Sequence, residues 1–170
     1  MAEPSPILLI SGPPGAGKST VARVLAATSS GAAAYIEGDT FWGFFPMSEG
    51  APGPTPRSTM VLIRSMMASA RIYAEAGHHV IADFSVGPWF LPLFHKPRQT
   101  PAIDFVVLCP SEATCAARAS ARAEGRMPDY GPYRDLHAAF NDLGDLERCA
   151  LRDDGAEPEA TAALIRAGRA

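Results

Sequence analysis

The stretch Ile7-Leu8-Leu9-Ile10-Ser11-Gly12-Pro13-Pro14-Gly15-Ala16-Gly17-Lys18-Ser19-Thr20 decides the fold. Ile7 to Ile10 is a short unbroken apolar run that stops at glycines, the pattern of a strand buried on both faces of a parallel sheet. Beyond Gly17 the period changes. Val21, Val24, Leu25 and Thr28 recur at helical spacing, which predicts an amphipathic helix that Ser29-Ser30-Gly31 ends. Between the two, Gly12 to Ser19 satisfies G-x-x-x-x-G-K-[ST], and a strand before it with a helix after it is the context the motif requires. Its glycines allow successive backbone N–H groups to curl around phosphate oxygens, and the helix N-terminus adds partial positive charge.

The expectation is therefore ATP with Mg²⁺, seated on Gly12, Pro13, Pro14, Gly15, Ala16, Gly17, Lys18, Ser19 and Thr20. Lys18 would reach the β- and γ-phosphates and Ser19 would hold the metal. A chance glycine-rich turn is the competing reading. Lysine usage speaks against it, because Lys18 and Lys96 are the only lysines among fifteen Lys and Arg residues, and one of the two fills the motif's required position.

Composition narrows the partners. A chain of 170 residues suits one domain, here 1–170, and 47% hydrophobic content fits a packed core. A formal net charge of -3 with interspersed signs argues against a nucleic-acid-coating surface or a basic membrane-binding helix, which leaves small molecules as partners. Cys109, Cys115 and Cys149 are odd in number and lack C-x-x-C spacing, so neither a disulfide framework nor a zinc site is expected. A reducing cytoplasm fits best. Residues 1–10 lack the basic start and long apolar run of an export signal or membrane span, so none is expected.

Farther along, Ala33 to Glu37 reads as a second strand, Gly43 to Pro56 as a loop, and Met60, Ile63, Met67, Ala70 and Ala74 as one face of a long helix closed by Gly77. Val80 to Asp83 and Ile103 to Cys109 are further strands. Ser111 is a candidate N-cap for a helix through Glu124, and Gly125 to Pro132 is a loop. The tail reads helix, short strand at Cys149 to Leu151, loop and helix. Five strands alternating with helices predict a three-layer α/β fold with a five-stranded parallel sheet.

No guanine-reading [NT]-K-x-D and no D-x-x-G occurs, which removes the GTPases, and the short length argues against larger motor and AAA-type ATPases. On the phosphate loop and this architecture the chain resembles the small-molecule P-loop kinases, such as gluconate kinase, shikimate kinase and chloramphenicol phosphotransferase. That resemblance implies an Asp just past the second strand facing the acceptor hydroxyl, and Glu37-Gly38-Asp39 puts Asp39 there. Ligands of open α/β sheets bind beyond the carboxyl ends of the strands, which agrees. The alternative for Asp39 is an N-cap. Asp83 closes Val80-Ile81-Ala82 as a metal-binding carboxylate would, against a strand-end Asp bonding local backbone.

Arg118, Arg122 and Arg126 recur every four residues, with the first two expected on one helical face before a lid at about 125–133. In the relatives such arginines stack on adenine at the lid's start and neutralise the transferring phosphate at its tip, which implies Arg118 and Arg122 for the base and Arg126 for the phosphate. A solvated helix face is the plain alternative. Phe41, Trp42, Phe44, Phe45, Phe84, Trp89, Phe90 and Phe94 follow the second and third strands, so an acceptor with a ring or apolar surface is favoured over a bare sugar acid, against ordinary core packing. His95 and His137 show no partner. The acceptor and the oligomeric state stay open, and two further readings stand beside the kinase: a toxin-like nucleotide-sugar kinase and a non-catalytic ATP-binding regulatory protein.

Overall fold

The computed structural model describes residues 4–45, 55–94, 100–123 and 125–168. The predicted Gly43 to Pro56 loop lies mostly, and His95, Lys96 and Glu124 lie wholly, outside them. Strands β1 (Ile7–Ser11), β2 (Ala33–Glu37), β3 (His79–Asp83), β4 (Ile103–Leu108) and β5 (Ala150–Leu151) form one sheet in the order β2-β3-β1-β4-β5, every pairing parallel. The predicted five-stranded parallel α/β fold is the one observed.

β1 is the central strand, and alternation along it distributes the core. Ile7 and Leu9 face one layer, where helix α2 (Pro56–Glu75) buries Leu62, Ile63, Met66 and Met67, together with Phe140. Ile10 faces the other layer, where α1 (Lys18–Ala27), α3 (Glu112–Ser120) and α5 (Pro158–Arg166) pack Val21, Leu25, Cys115 and Ile165. A short helix α4 (Arg134–Ala139) precedes Phe140.

Sequence sets the helix starts. Thr55 caps α2 in a reciprocal box with Ser58, and Pro56 stands at its first position, where the missing N–H costs nothing. Ser111 caps α3 through Thr114 as expected. The end of α3 corrects the sequence reading, since the helix stops at Ser120 and not at Glu124. The returning chain takes its terminal carbonyls: Met127 N–H donates to Ala119 O at 3.1 Å and Arg126 Nε to Ser120 O at 2.8 Å. Arg122 therefore lies beyond the helix and shares no helical face with Arg118. His137 also departs from expectation, because it is buried with a ring nitrogen 2.9 Å from Pro110 O.

Among the described residues no helix is long and apolar enough to cross a membrane. Phe140 is wholly buried, and its removal leaves a hole between the sheet and the tail. Phe140→Ala should lower unfolding stability by about 3–5 kcal/mol in denaturant titration; a loss under about 1 kcal/mol would mean the tail closes the gap by repacking.

Candidate active site

β1 delivers the phosphate loop to the carboxyl edge of the sheet. The loop is fixed from outside by backbone contact: Gly12 and Gly15 both have positive φ, and a Cβ on either would collide with the carbonyl of Leu108 or Cys115 respectively. Tyr130, buried, donates its hydroxyl to Pro14 O at 2.8 Å. Lys18 curls back, its Nζ 3.0 Å from Pro13 O.

Behind the loop Ser19 Oγ donates to Asp83 Oδ2 at 2.7 Å, while Tyr35 Oη donates to Asp83 Oδ1 at 2.9 Å. The hydroxyl and carboxylate are the oxygen donors that Mg²⁺ prefers, and this ion commonly needs only one or two protein ligands beside phosphates and water. Ser19 and Asp83 therefore fit that metal, and the described residues hold no cluster of three or more His, Cys, Asp or Glu that would suit another.

Two cavities meet at the loop, sharing Gly17 and Thr20. One of about 390 Å³ is walled by Arg118 and by the turn Asp153–Pro158 ahead of α5. Arg118 donates to Asp154 O at 3.1 Å, Asp154 Oδ1 accepts Ser111 N–H at 2.6 Å, and Asp153 Oδ1 accepts Gly155 and Ala156 N–H, so this turn is rigidly built. Sequence reasoning read the turn only as a loop; its one signal was the Asp-Asp-Gly run before Pro158.

The other, about 870 Å³, holds Lys18, Ser19, Asp39 and Arg122 beside Trp42, Phe84, Trp89 and Phe90. Asp39 lies inside the 3-10 turn Gly38–Phe44 that leaves β2, and the N-cap position of that turn is Glu37. Of the eight clustered aromatics these four line the cavity, whereas Phe41, Phe45 and Phe94 pack on the core and Phe44 is 81% exposed. Arg126, turned onto Ser120, lines neither cavity. The arginine beside Lys18 and Asp39 is Arg122, which the resemblance assigned to the base.

Lys18 and Asp39 act on each other and are both acted on by Asp83 and Arg122. Burial lowers the Lys18 ammonium to about 8, with Asp83 and Asp39 opposing the fall and Arg122 adding to it. The Asp39 carboxyl is raised, first by lost hydration; Lys18 opposes this, Asp83 adds to it and Arg122 opposes it. Asp39 keeps an exposed surface, so water screens these influences. The sign for Lys18 follows from linkage. Its folded value lies below its unfolded one, so the native chain carries a penalty at low pH that is released as pH rises from about 8 toward the ordinary lysine value. Between about pH 8 and about pH 10 the nucleotide-free protein should gain roughly 2 kcal/mol over Lys18→Met in denaturant titrations; parallel curves would mean an ordinary lysine.

No curated protein matches this chain in sequence. Among solved structures, a sugar kinase from Janibacter sp. HTCC2649 is similar at 22% identity with a TM-score of 0.72, covering 98% of this chain and 96% of its own. A tunicamycin resistance protein from Deinococcus radiodurans is similar at 20% identity and TM-score 0.70, over 96% and 95% of the two chains. A gluconokinase from Sinorhizobium meliloti 1021 is similar at 23% and 0.60, over 98% and 95%. These likenesses show a shared fold. The AAA domain family matches residues 7–137, from the start of β1 into α4. The matched stretch is the P-loop domain itself, and the match leaves the reading as a small-molecule P-loop kinase standing. With the phosphate loop, the parallel sheet and that match in hand, the chain belongs to the AAA domain family, in the P-loop α/β fold it shares with small kinases.

Proposed function

We propose that this protein is an ATP-dependent kinase that transfers the γ-phosphoryl group of ATP to a hydroxyl of a small, ring-bearing molecule. The observation that carries the reading is the pair of cavities meeting at the phosphate loop, one walled by an arginine and a rigid turn, the other by Lys18, Asp39, Arg122 and aromatic rings. The smaller suits a base, with Arg118 offering a planar guanidinium to stack on it. The larger suits an acceptor.

The acceptor oxygen forms a bond to the γ-phosphorus as the bond to the bridging oxygen of ADP breaks, and the hydroxyl proton goes to the Asp39 carboxylate. Phosphoryl transfer relies mainly on positioning and charge neutralisation. Lys18 and Arg122 supply the positive charge from the protein, and Arg122 takes the phosphate role that the resemblance assigned to Arg126. When bound at Ser19 and Asp83, Mg²⁺ neutralises the β- and γ-phosphates. Residues 125–133 form the lid: Met127 and Tyr133 face the larger cavity, and Tyr130 hinges the segment on the phosphate loop.

The walls support a neutral acceptor. Among the described residues the larger cavity contains Lys18, Arg23 and Arg122 as its cations; Arg23 is paired to Glu37 at 3.1 Å, and the other two stand at the phosphate end. An anionic acceptor would meet Glu37, Asp39 and aromatic rings instead of a counter-charge, which is costly in a partly dry site.

Both tryptophans of the chain, Trp42 and Trp89, line this cavity, so intrinsic fluorescence reports acceptor binding without turnover. Incubation with ATP and Mg²⁺ across antibiotics, nucleosides, nucleotide sugars, sugars and sugar acids, read by mass spectrometry, should yield ADP in step with one phosphorylated neutral ring compound. ATP binding with no phosphorylated product would favour a regulatory role, and a nucleotide-sugar product would favour the toxin-like reading. Asp39→Asn should lower kcat about 10²- to 10⁴-fold with little change in ATP affinity. Arg122→Ala should reduce kcat about 10²-fold or more and Arg118→Ala should chiefly weaken ATP binding, while Arg126→Ala stays within about threefold of wild type. A kcat loss confined to Arg126→Ala would restore the division that the resemblance implied.

A further inference from the structure

We infer that Tyr35 is a positioning residue for the divalent cation, acting through Asp83. The inference rests on the metal part of the kinase reading and adds a residue that no motif contains.

Asp83 is buried, 3% exposed, and a carboxylate so placed needs donors on both oxygens. It receives one from each side, Ser19 Oγ on Oδ2 at 2.7 Å and Tyr35 Oη on Oδ1 at 2.9 Å. The terminal torsion of an Asp is broad, so a single hydrogen bond leaves the carboxylate plane free to turn, and two donors on different oxygens fix it. Strand register supplies the second donor: Tyr35 pairs with Ile81 and Glu37 with Asp83, so Tyr35 lies on the same sheet face as Asp83, one diagonal step away.

The tyrosine is itself held in place. The Arg23 guanidinium lies 5.6 Å from its ring centroid, and Arg23 is bound to Glu37 through both carboxylate oxygens, at 3.1 and 3.3 Å. A tyrosine that served packing alone would not need its hydroxyl aimed at the carboxylate that faces Ser19. The arrangement presets the direction of the Asp83 lone pairs before any nucleotide arrives.

Tyr35→Phe keeps the ring and its Arg23 contact and removes the O–H. A hydrogen bond to a charged acceptor is worth enough that the Mg²⁺ concentration giving half-maximal tightening of AMP-PNP binding should rise about tenfold or more, measured by calorimetry. AMP-PNP affinity in EDTA should stay within about twofold of wild type. In an Asp83→Asn background the same substitution should add nothing, since its route is gone. An unchanged Mg²⁺ requirement, or equal effects in both backgrounds, would overturn the inference. So would a Tyr35→Phe protein that is unfolded in a thermal melt, which would assign the hydroxyl to the fold. Because binding of AMP-PNP needs no acceptor, failure to find a phosphorylated product would reject the kinase reading while leaving this measurement intact.

Discussion

The site depends on one constraint: the phosphate loop must press its backbone against two carbonyls of the neighbouring elements. Gly12 lies against Leu108 at the end of β4 and Gly15 against Cys115 in α3, with no room for a side chain at either. Those contacts exist because β1 sits between β3 and β4, so the loop leaving it emerges where the following elements already stand. Tyr130 then closes the outer side through Pro14 O. A loop held on several sides keeps its N–H groups aimed before a phosphate is present, which is the preorganisation that charge stabilisation needs.

The same edge of the sheet concentrates charge. The Asp83 and Asp39 carboxylates and the Arg122 guanidinium all act on Lys18, and their effects partly cancel, leaving lost hydration as the first cause of its depression. An ammonium held near 8 has shed much of its water, so an arriving phosphate meets a cation less costly to desolvate than a surface lysine. Tyr35 and Ser19 each donate to one oxygen of Asp83, while the Lys18 Nζ donates to Pro13 O.

What could be read in the sequence was what local chain order encodes. The strand, glycine loop and helix of residues 7–27 were legible because motif and periodicity lie within a few residues of each other, and the positions of Asp39 just past β2 and of Asp83 at the end of β3 were legible because strand ends are. Four-residue spacing of arginines was less reliable, since it looks the same whether the chain continues as a helix or, as here, turns back at Ser120. Tyr35 was invisible because its partner lies 48 residues away and the link runs through strand register. The turn at Asp153–Pro158 was missed for another reason, that it acts through backbone shape and not through a reactive side chain. His137 looked partnerless because its acceptor, Pro110 O, belongs to the chain itself and carries no side-chain signature.

The aromatic cluster shows how a single compositional signal divides once the chain folds. Trp42 packs on Phe84 at 6.4 Å between centroids and still lines the cavity, so it belongs to core and wall together. Trp89 is 61% exposed, and its indole lies across Gly87, where any side chain would displace it. A single exposed apolar side chain is ordinary on a protein surface, and what sets Trp89 apart is its place in a concave wall with Trp42, Phe84 and Phe90. Phe84, 5% exposed, is thus the cavity ring that belongs most to the core, and Trp89 is the one with much apolar surface still uncovered.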